Sequence, residues 1–227
     1  MARVEVKVIL DFMCPWSFIG MRSLQLAKER FSGRLEFAAI EFIPFEFDPP
    51  GTYPQDGTDW TDYCKGYGEA KAKFLLEEKL PRAFALGSAI GIKFRMDRRI
   101  VHTTDVNTAL EVAQRYGVAE EFVLQTLSQH FEHVRDPNEA SSLRARLETL
   151  GVPDAEVDAA LSDPARLARN IERTHAVRGL LRAGVPQFEV RCGGSEDFWA
   201  SAPGGPTSPE YFEHLFELCA ASKHAEL

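Results

Sequence analysis

One cysteine stands where a predicted strand meets a predicted helix. Cys14 follows residues 3–10, whose apolar and polar side chains alternate with the period of a β-strand, and it precedes Pro15, which suits the first position of a helix. A helix N-terminus offers unpaired N–H groups and the positive end of the helix dipole, and both favour a thiolate over a thiol. The sequence therefore predicts that Cys14 is a reactive nucleophile.

The composition of the chain argues against several classes of partner and location. With 227 residues, 44% of them hydrophobic, the chain can bury a sizeable core in one or two domains. The net charge of -8 argues against a nucleic acid or an anionic membrane as the main partner. We expect neither a membrane span nor a secretory signal, because the chain has no apolar run of the required kind.

The other cysteines are predicted to pack inside the protein more than to react. Cys64, Cys192 and Cys219 form no C-x-x-C pair, so neither a zinc knuckle nor a small disulfide scaffold is predicted. Reduced thiols in a cytoplasm fit this pattern best. Cys64 and Cys192 stay open as distant resolving thiols, although a packing role is favoured, and Cys219 is assigned to the core.

The first part of the chain predicts a second strand and then a block of helices. Residues 35–42 have a strand pattern, and the proline-rich residues 44–54 predict an ordered loop that packs on the fold. Helical patterns fill residues 59–163. One helix is expected over residues 69–80 with Phe74 inside, and Asn138 is expected to cap another.

The end of the chain returns to a sheet. Asp163-Pro164 indicates the start of a long helix, strands over 187–191 and 198–201 are expected to form a hairpin about Gly193-Gly194, and Ser208-Pro209 begins a last helix. The order β, α, β, helices, α, β, β, α predicts an α/β, thioredoxin-like fold with a large all-helical insertion.

Two domains follow from this order. Residues 1–58 and 164–227 are predicted to form a discontinuous thioredoxin-like domain, and residues 59–163 an inserted helical domain. A cleft between them is the natural place for a site.

Five segments of the chain resemble one protein family. They are D-F-M-C-P-W-S-F-I-G, F-I-P-F-E-F-D-P-P, V-H-T-T, G-V-P-Q-F and S-P-E-Y-F-E-H-L. On these motifs the chain resembles the DsbA-like thioredoxin-fold oxidoreductases. More narrowly it resembles their FrnE-like subgroup, which is related to 2-hydroxychromene-2-carboxylate isomerases and kappa-class glutathione transferases.

The resemblance implies a DsbA-like architecture and a site made by two distant segments. It implies that the Val185-Pro186 peptide bond is cis and faces Cys14. Val185 and Pro186 would then bind the substrate, with their backbone paired to an extended peptide or to glutathione, and Gln187 would assist. Beside the sulfur, Pro15 and Trp16 would shape the pocket.

The chain departs from the dithiol members of the family at one position. They carry C-P-W-C, whereas Ser17 stands here in place of the second cysteine. Cys14 cannot then close the usual intramolecular disulfide, so an external thiol such as glutathione must release a mixed disulfide. Ser17 is assigned to the catalytic site, with its hydroxyl either donating to the thiolate or capping the backbone.

Other polar side chains are assigned mostly structural roles. His130 and His133 have helical i, i+3 spacing, but no cysteine or carboxylate cluster completes a set of ligands, so no metal site is expected. His102 is assigned a surface or capping role in preference to a substrate contact. The arginines of residues 95–99 are expected on a solvated face, with the binding of a glutathione carboxylate as the alternative.

These observations predict an enzyme. The first hypothesis is a cytoplasmic thiol-disulfide oxidoreductase with the single thiol Cys14, acting on a peptide, glutathione or small-molecule thiol or disulfide. A kappa-class-like glutathione transferase or a glutathione-dependent isomerase is the first alternative, and a non-enzymatic thioredoxin-fold binding protein is the second. We expect glutathione as a co-substrate and no tightly bound cofactor, and a homodimer stays open.

Overall fold

The computed structural model describes residues 1–48, 52, 54, 56–182, 184–193, 199–200 and 208–222. Its strands are β1 (Ala2–Leu10), β2 (Leu35–Phe37), β3 (Glu41–Pro44), β4 (Thr58–Asp59), β5 (Arg99–Ile100), β6 (Gln187–Cys192) and β7 (Trp199–Ala200). Its helices are α1 (Pro15–Arg30), α2 (Trp60–Lys65), α3 (Glu69–Phe74), α4 (Leu80–Ala89), α5 (Thr104–Arg115), α6 (Ala119–Phe131), α7 (Ala140–Thr149), α8 (Asp154–Ser162), α9 (Arg166–Arg178) and α10 (Pro209–Ser222). A π-helical turn, Leu75–Lys79, joins α3 to α4.

The main sheet is built around β1. On one side β1 pairs in parallel with β2 and then with β3, and on the other it pairs antiparallel with β6, which pairs antiparallel with β7. The α/β, thioredoxin-like fold with many added helices is therefore confirmed. A separate two-stranded sheet joins β4 to β5.

The second predicted strand is interrupted by one extra residue. Val4 pairs with Phe37 and Lys7 with Glu41, so β1 advances three residues while its partner advances four. The ladder breaks at this bulge, and the expected strand over residues 35–42 is divided into β2 and β3.

Both faces of β1 are covered at its C-terminal end. Val6, Val8 and Leu10 belong to the main core, which also contains buried side chains of α1 and α10, whereas Ile9 packs with Phe45 and Val177 in a smaller cluster. This burial explains why the alternation of β1 gives way to consecutive apolar residues before Cys14. Phe45 also confirms that the proline-rich loop begins by packing on the fold.

Three expectations about the helical block need correction. The helix predicted over residues 69–80 is divided by the π-helical turn just before Pro81, which lacks the N–H for an ordinary helical hydrogen bond. Phe74 is 46% exposed, so its predicted place inside is wrong. Asn138 does not cap α7, since its Oδ1 accepts a hydrogen bond from the amide of Val106 in the first turn of α5 (3.1 Å).

The hairpin near the end of the chain is confirmed as the antiparallel pair β6 and β7. The expected turn residue Gly194 and the strand ends at Phe198 and Ser201 lie outside the described residues. The two-domain division at residues 58/59 and 163/164 stays a prediction. No helix among the described residues is long and apolar enough to cross a membrane.

Two of the cysteines expected to be reduced are joined. Cys192 at the end of β6 and Cys219 in α10 form a disulfide with Cα atoms 5.2 Å apart. The hydrophobic assignment of Cys219 holds, because both side chains are buried. The expectation that all four thiols are free is wrong, since the fold brings together two residues that the sequence leaves 27 positions apart.

Candidate active site

Cys14 lies in the wall of a pocket of about 370 Å³. The end of β1, the start of α1, α2, the π-helical turn and the segment before β6 all contribute to the wall. Its apolar side chains are Met13, Pro15, Trp16, Phe47, Trp60, Leu75, Leu80, Ile100 and Val185, and its polar ones are Asp11, Cys14, Tyr63, Tyr67, Lys71 and Lys79. Such a mixture suits a small or extended ligand with an apolar body and a few polar groups.

The start of α1 sets the position of the sulfur. Cys14 is the N-cap residue with extended backbone angles, and Pro15 follows at the first helical position. The amide of Cys14 donates to the carbonyl of Asp11 (3.1 Å), and the carbonyl of Cys14 accepts from the amide of Ser17 (2.9 Å). These backbone bonds hold the cysteine at the junction that the sequence predicts.

The second segment of the predicted site does reach Cys14. The Val185-Pro186 peptide bond is cis, as the resemblance implies, and the thiol of Cys14 donates to the carbonyl of Val185 at 3.6 Å. The two residues are 171 positions apart. The tertiary structure thus brings the cysteine and the cis-proline segment together.

A glycine permits this close approach. Gly20 lies in α1, and a Cβ atom at this position would come within 2.7 Å of the ring of Phe188 and 3.3 Å of the ring of Pro186. Any side chain there would push α1 away from the cis-proline segment. Gly20 therefore helps to keep Cys14 near Val185.

Asp11 is a site residue to which the sequence assigned no role. Its carboxylate is 3% exposed and accepts hydrogen bonds from the amides of Met13 (2.7 Å) and Phe47 (2.9 Å). Burial raises the pKa of this carboxyl to about 7, against those two hydrogen bonds, which lower it. The signal in the sequence was an acidic residue at the end of an apolar strand, three positions before the cysteine.

The expectation of a low-pKa thiol is wrong for the protein without substrate. Burial, and to a smaller extent the nearby Asp11 carboxylate, raise the pKa of the Cys14 thiol to about 11. The backbone N–H groups of Ser17 and Trp16 act in the opposite direction, as the helix N-terminus predicts, but they do not outweigh desolvation. Cys14 is therefore a thiol at neutral pH.

The structure shows one of the two roles considered for Ser17, the capping of the backbone. Its fully buried hydroxyl accepts a hydrogen bond from the amide of Asp11 (3.3 Å), so it caps the backbone. The side chain of Gln187 is also buried, where it accepts from the amide of Arg182 (3.0 Å) and donates to Glu189 (3.1 Å). Neither Ser17 nor Gln187 lines the pocket.

One wall of the pocket carries a hydrogen-bonded pair of tyrosines. The hydroxyl of Tyr63 donates to Asp48 (2.7 Å) and lies 2.7 Å from the hydroxyl of Tyr67, which also reaches Asp48 (3.1 Å). Lys71 lies over the ring of Tyr67, with 4.1 Å between its Nζ and the ring centroid. Because both hydroxyl protons are directed at Asp48, this wall offers a ligand hydroxyl oxygens as acceptors and a cation.

The sequence predicted a surface or capping role for His102, whereas its side chain is partly buried in a hydrogen-bonded cluster. Its Nδ1 lies 2.8 Å from Oε1 of the buried Glu46, which also accepts from the amide of Thr103 (3.2 Å). The other carboxylate oxygen of Glu46 accepts from Asn170 in α9 (2.6 Å). This cluster joins the proline-rich loop to α5 and α9 outside the pocket.

The remaining cysteines do not line the pocket. Cys64 is fully buried in α2, and Cys192 lies at the opposite end of β6 from Gln187 and is joined to Cys219. Within the described ranges no group of three histidine, cysteine or carboxylate residues is arranged to hold a metal ion.

Comparison with known proteins identifies the family. The profile of the DSBA-like thioredoxin domain matches residues 5–212. The chain belongs to the DSBA-like thioredoxin family. This membership classes it with thiol-disulfide oxidoreductases, as the sequence predicts. The search of curated proteins gave no match.

Several solved structures share the fold. A probable DsbA oxidoreductase from Streptomyces coelicolor is 24% identical, with a TM-score of 0.71 over 95% of this chain and 89% of that one. A 2-hydroxychromene-2-carboxylate isomerase is 17% identical, with a TM-score of 0.58 over 97% and 95%. The cytosolic disulfide reductase DsbM of Pseudomonas aeruginosa, solved with glutathione, is 16% identical, with a TM-score of 0.60 over 94% and 98%.

Proposed function

We propose that the protein catalyses thiol-disulfide exchange through the single thiol of Cys14, with glutathione or a similar external thiol as the second reactant. The observation that carries the proposal is the contact between the Cys14 sulfur and the Val185 carbonyl beside the cis-proline, at the edge of an open pocket. A disulfide substrate in extended form would pair with the backbone at Val185 and present one sulfur to Cys14.

The exchange has two steps. The Cys14 thiolate attacks one sulfur of the substrate disulfide, which forms a mixed disulfide and releases the other sulfur as a thiolate. An external thiolate then attacks the substrate sulfur of the mixed disulfide, which forms a new disulfide and returns Cys14 as a thiolate. The external thiol is needed because Ser17 occupies the place of a resolving cysteine and Cys64 does not line the pocket.

The protonated state of Cys14 limits the rate of exchange at neutral pH. Since the thiol has a raised pKa, only a small fraction is thiolate before substrate enters. We expect the rate of exchange to rise with pH well above neutrality. A cytoplasm would supply the reduced thiol, and that location stays part of the proposal.

A glutathione-dependent isomerase or transferase is the second candidate. The observation in its favour is that Cys14 is a neutral S–H donor, which donates to Val185 here and would donate equally to the sulfur of a bound glutathione thiolate. The fold shared with the isomerase supports the same candidate. In that reaction Cys14 forms no covalent bond.

One pair of variants separates the two candidates. Exchange is measured as the glutathione-dependent reduction of a small mixed disulfide, with Cys14→Ser as the test and Cys64→Ser as the matched control. The first proposal expects Cys14→Ser to abolish turnover and Cys64→Ser to keep it. If the wild type binds glutathione but does not turn over the disulfide, or if Cys14→Ser keeps the wild-type turnover, the oxidoreductase proposal fails.

A further inference from the structure

Arg98 is a buried cation that the proposed reaction does not use. It is 2% exposed, and none of its three guanidinium nitrogens makes a hydrogen bond with any residue that the structure describes. The expectation that it shares a solvated face with Arg95 and Arg99 is therefore wrong for this residue, since only the other two are exposed. A buried charge usually has an anionic partner, and its absence calls for a physical reason.

Two aromatic rings hold the guanidinium in place. Its Cζ atom lies 4.8 Å from the ring of Trp60 and 4.4 Å from the ring of Phe131. Their faces offset part of the cost of burying the cation and leave its charge unneutralised. Burial lowers the pKa of Arg98 only to about 10, so it stays protonated at neutral pH.

The same rings lead from Arg98 to the pocket. Trp60 lines the pocket that contains Cys14, so Arg98 lies behind that part of the wall. Phe131 stacks on Phe18, which is one turn along α1 from Cys14, with 5.9 Å between ring centroids. In addition, the amide of Val101, just after β5, donates to the sulfur of Met13 (3.5 Å).

The two free thiols, Cys14 and Cys64, interact with the charge of Arg98 and raise its pKa, whereas a protonated His130 would repel it. Burial lowers the pKa of His130 to about 3, so this imidazole is neutral at physiological pH. Cys64 does not line the pocket, which leaves Cys14 as the thiol that can meet a substrate.

Other ionisable groups face Cys14 from the elements round the pocket. They are Asp11 just after β1, Tyr63 in α2, Tyr67 between α2 and α3, Lys71 in α3 and Lys79 in the π-helical turn. Asp11 opposes the thiolate and Lys79 favours it. Both lysines are on the open side of the pocket, whereas Arg98 is shielded from solvent and from salt.

We propose that Arg98 is a positioning residue for the exchange reaction: its unneutralised, buried charge stabilises the thiolate of Cys14 when that thiolate forms. The inference rests on the proposed function of Cys14 and adds a group that opposes part of its desolvation. A carboxylate beside Arg98 would cancel this effect, and no described carboxylate accepts a hydrogen bond from its guanidinium.

The test measures the thiol without any substrate disulfide. In a Cys64→Ser background, the rate of alkylation of Cys14 by iodoacetamide is followed between about pH 7 and about pH 9, where it is proportional to the thiolate fraction. Arg98→Met and Arg98→Gln should each raise the pKa of Cys14 by about one unit, which is a roughly tenfold slower rate at each pH. Arg98→Lys should restore most of the rate because it keeps the charge.

Arg95→Met is the matched control, since Arg95 is exposed and pairs with Asp97, and it should leave the rate unchanged. Near-ultraviolet circular dichroism checks that the variants are folded. An unchanged pKa of Cys14 in a folded neutral variant overturns the inference. This result is distinct from failure of the proposed function, which shows as retained turnover in Cys14→Ser.

Discussion

The buried carboxyl of Asp11 should make the free energy of unfolding depend on pH. Replacing Asp11 with asparagine should remove this dependence. The pKa of Asp11 is about 7 in the folded protein against an ordinary value of 3.8. Between these values the unfolded chain releases the proton and the folded protein keeps it. The free energy of unfolding therefore falls as the pH rises through this window, and it levels off above the folded pKa.

The size of the effect follows from the shift. A difference of roughly three pKa units at about 1.4 kcal/mol per unit corresponds to about 4 kcal/mol in all. Between about pH 4.5 and about pH 8, about 3 kcal/mol of this change should be measurable, because the unfolded chain is already largely ionised at the lower limit. Asparagine does not titrate, so the variant should lack this slope.

Urea unfolding followed by tryptophan fluorescence measures the difference. The free energy of unfolding of the wild type minus that of Asp11→Asn should fall by about 3 kcal/mol across the window. A constant offset is also expected, since the side-chain amide of the variant has a single oxygen and cannot accept both hydrogen bonds that Met13 and Phe47 donate to the two carboxylate oxygens.

A matched control uses an exposed carboxylate. Arg95 lowers the pKa of Asp97, so Asp97 is ionised in both states across the window and Asp97→Asn should give a difference that does not vary with pH. If the wild type and Asp11→Asn also differ by a constant amount at every pH, the buried carboxyl does not titrate as the structure implies, and the reasoning about Asp11 is refuted.

Three further outcomes are expected. Asp11→Asn should also speed the alkylation of Cys14 at a pH above about 8, because an ionised Asp11 raises the pKa of that thiol. Gly20→Ala should lower the free energy of unfolding by about 1 to 3 kcal/mol through overpacking against Phe188, and should slow exchange at Cys14, as urea unfolding and turnover will show. Cys219→Ser should cost about 3.5 kcal/mol of stability, from the 27-residue separation that the disulfide closes.

Each outcome has a control or a contrary result. Equal alkylation rates in the wild type and Asp11→Asn at high pH would contradict the charge effect. Gly179→Ala is the control for Gly20→Ala, because the nearest atom to its added Cβ is 3.7 Å away. For the disulfide, titration of the unfolded, unreduced protein should find two thiols, and four thiols would show that Cys192 and Cys219 are free.

The sequence alone indicated the local position of Cys14. The alternation of β1, Pro15 and the helical pattern of α1 located Cys14 at a strand-helix junction, since these are local backbone preferences that neighbouring residues express. The resemblance carried in part by the G-V-P segment implied a cis bond at Val185-Pro186, which the structure contains. Pairing of β1 with β6 then brings the two segments together.

The chemical state of the site was decided only by the tertiary structure. The helix N-terminus predicted a thiolate, but the pocket around Cys14 and the buried carboxyl of Asp11 make it a thiol. In the same way, Arg98 is part of a charged run in the sequence and a buried cation in the fold. Desolvation and charge pairing depend on segments that lie far apart in the chain, so no local pattern reports them.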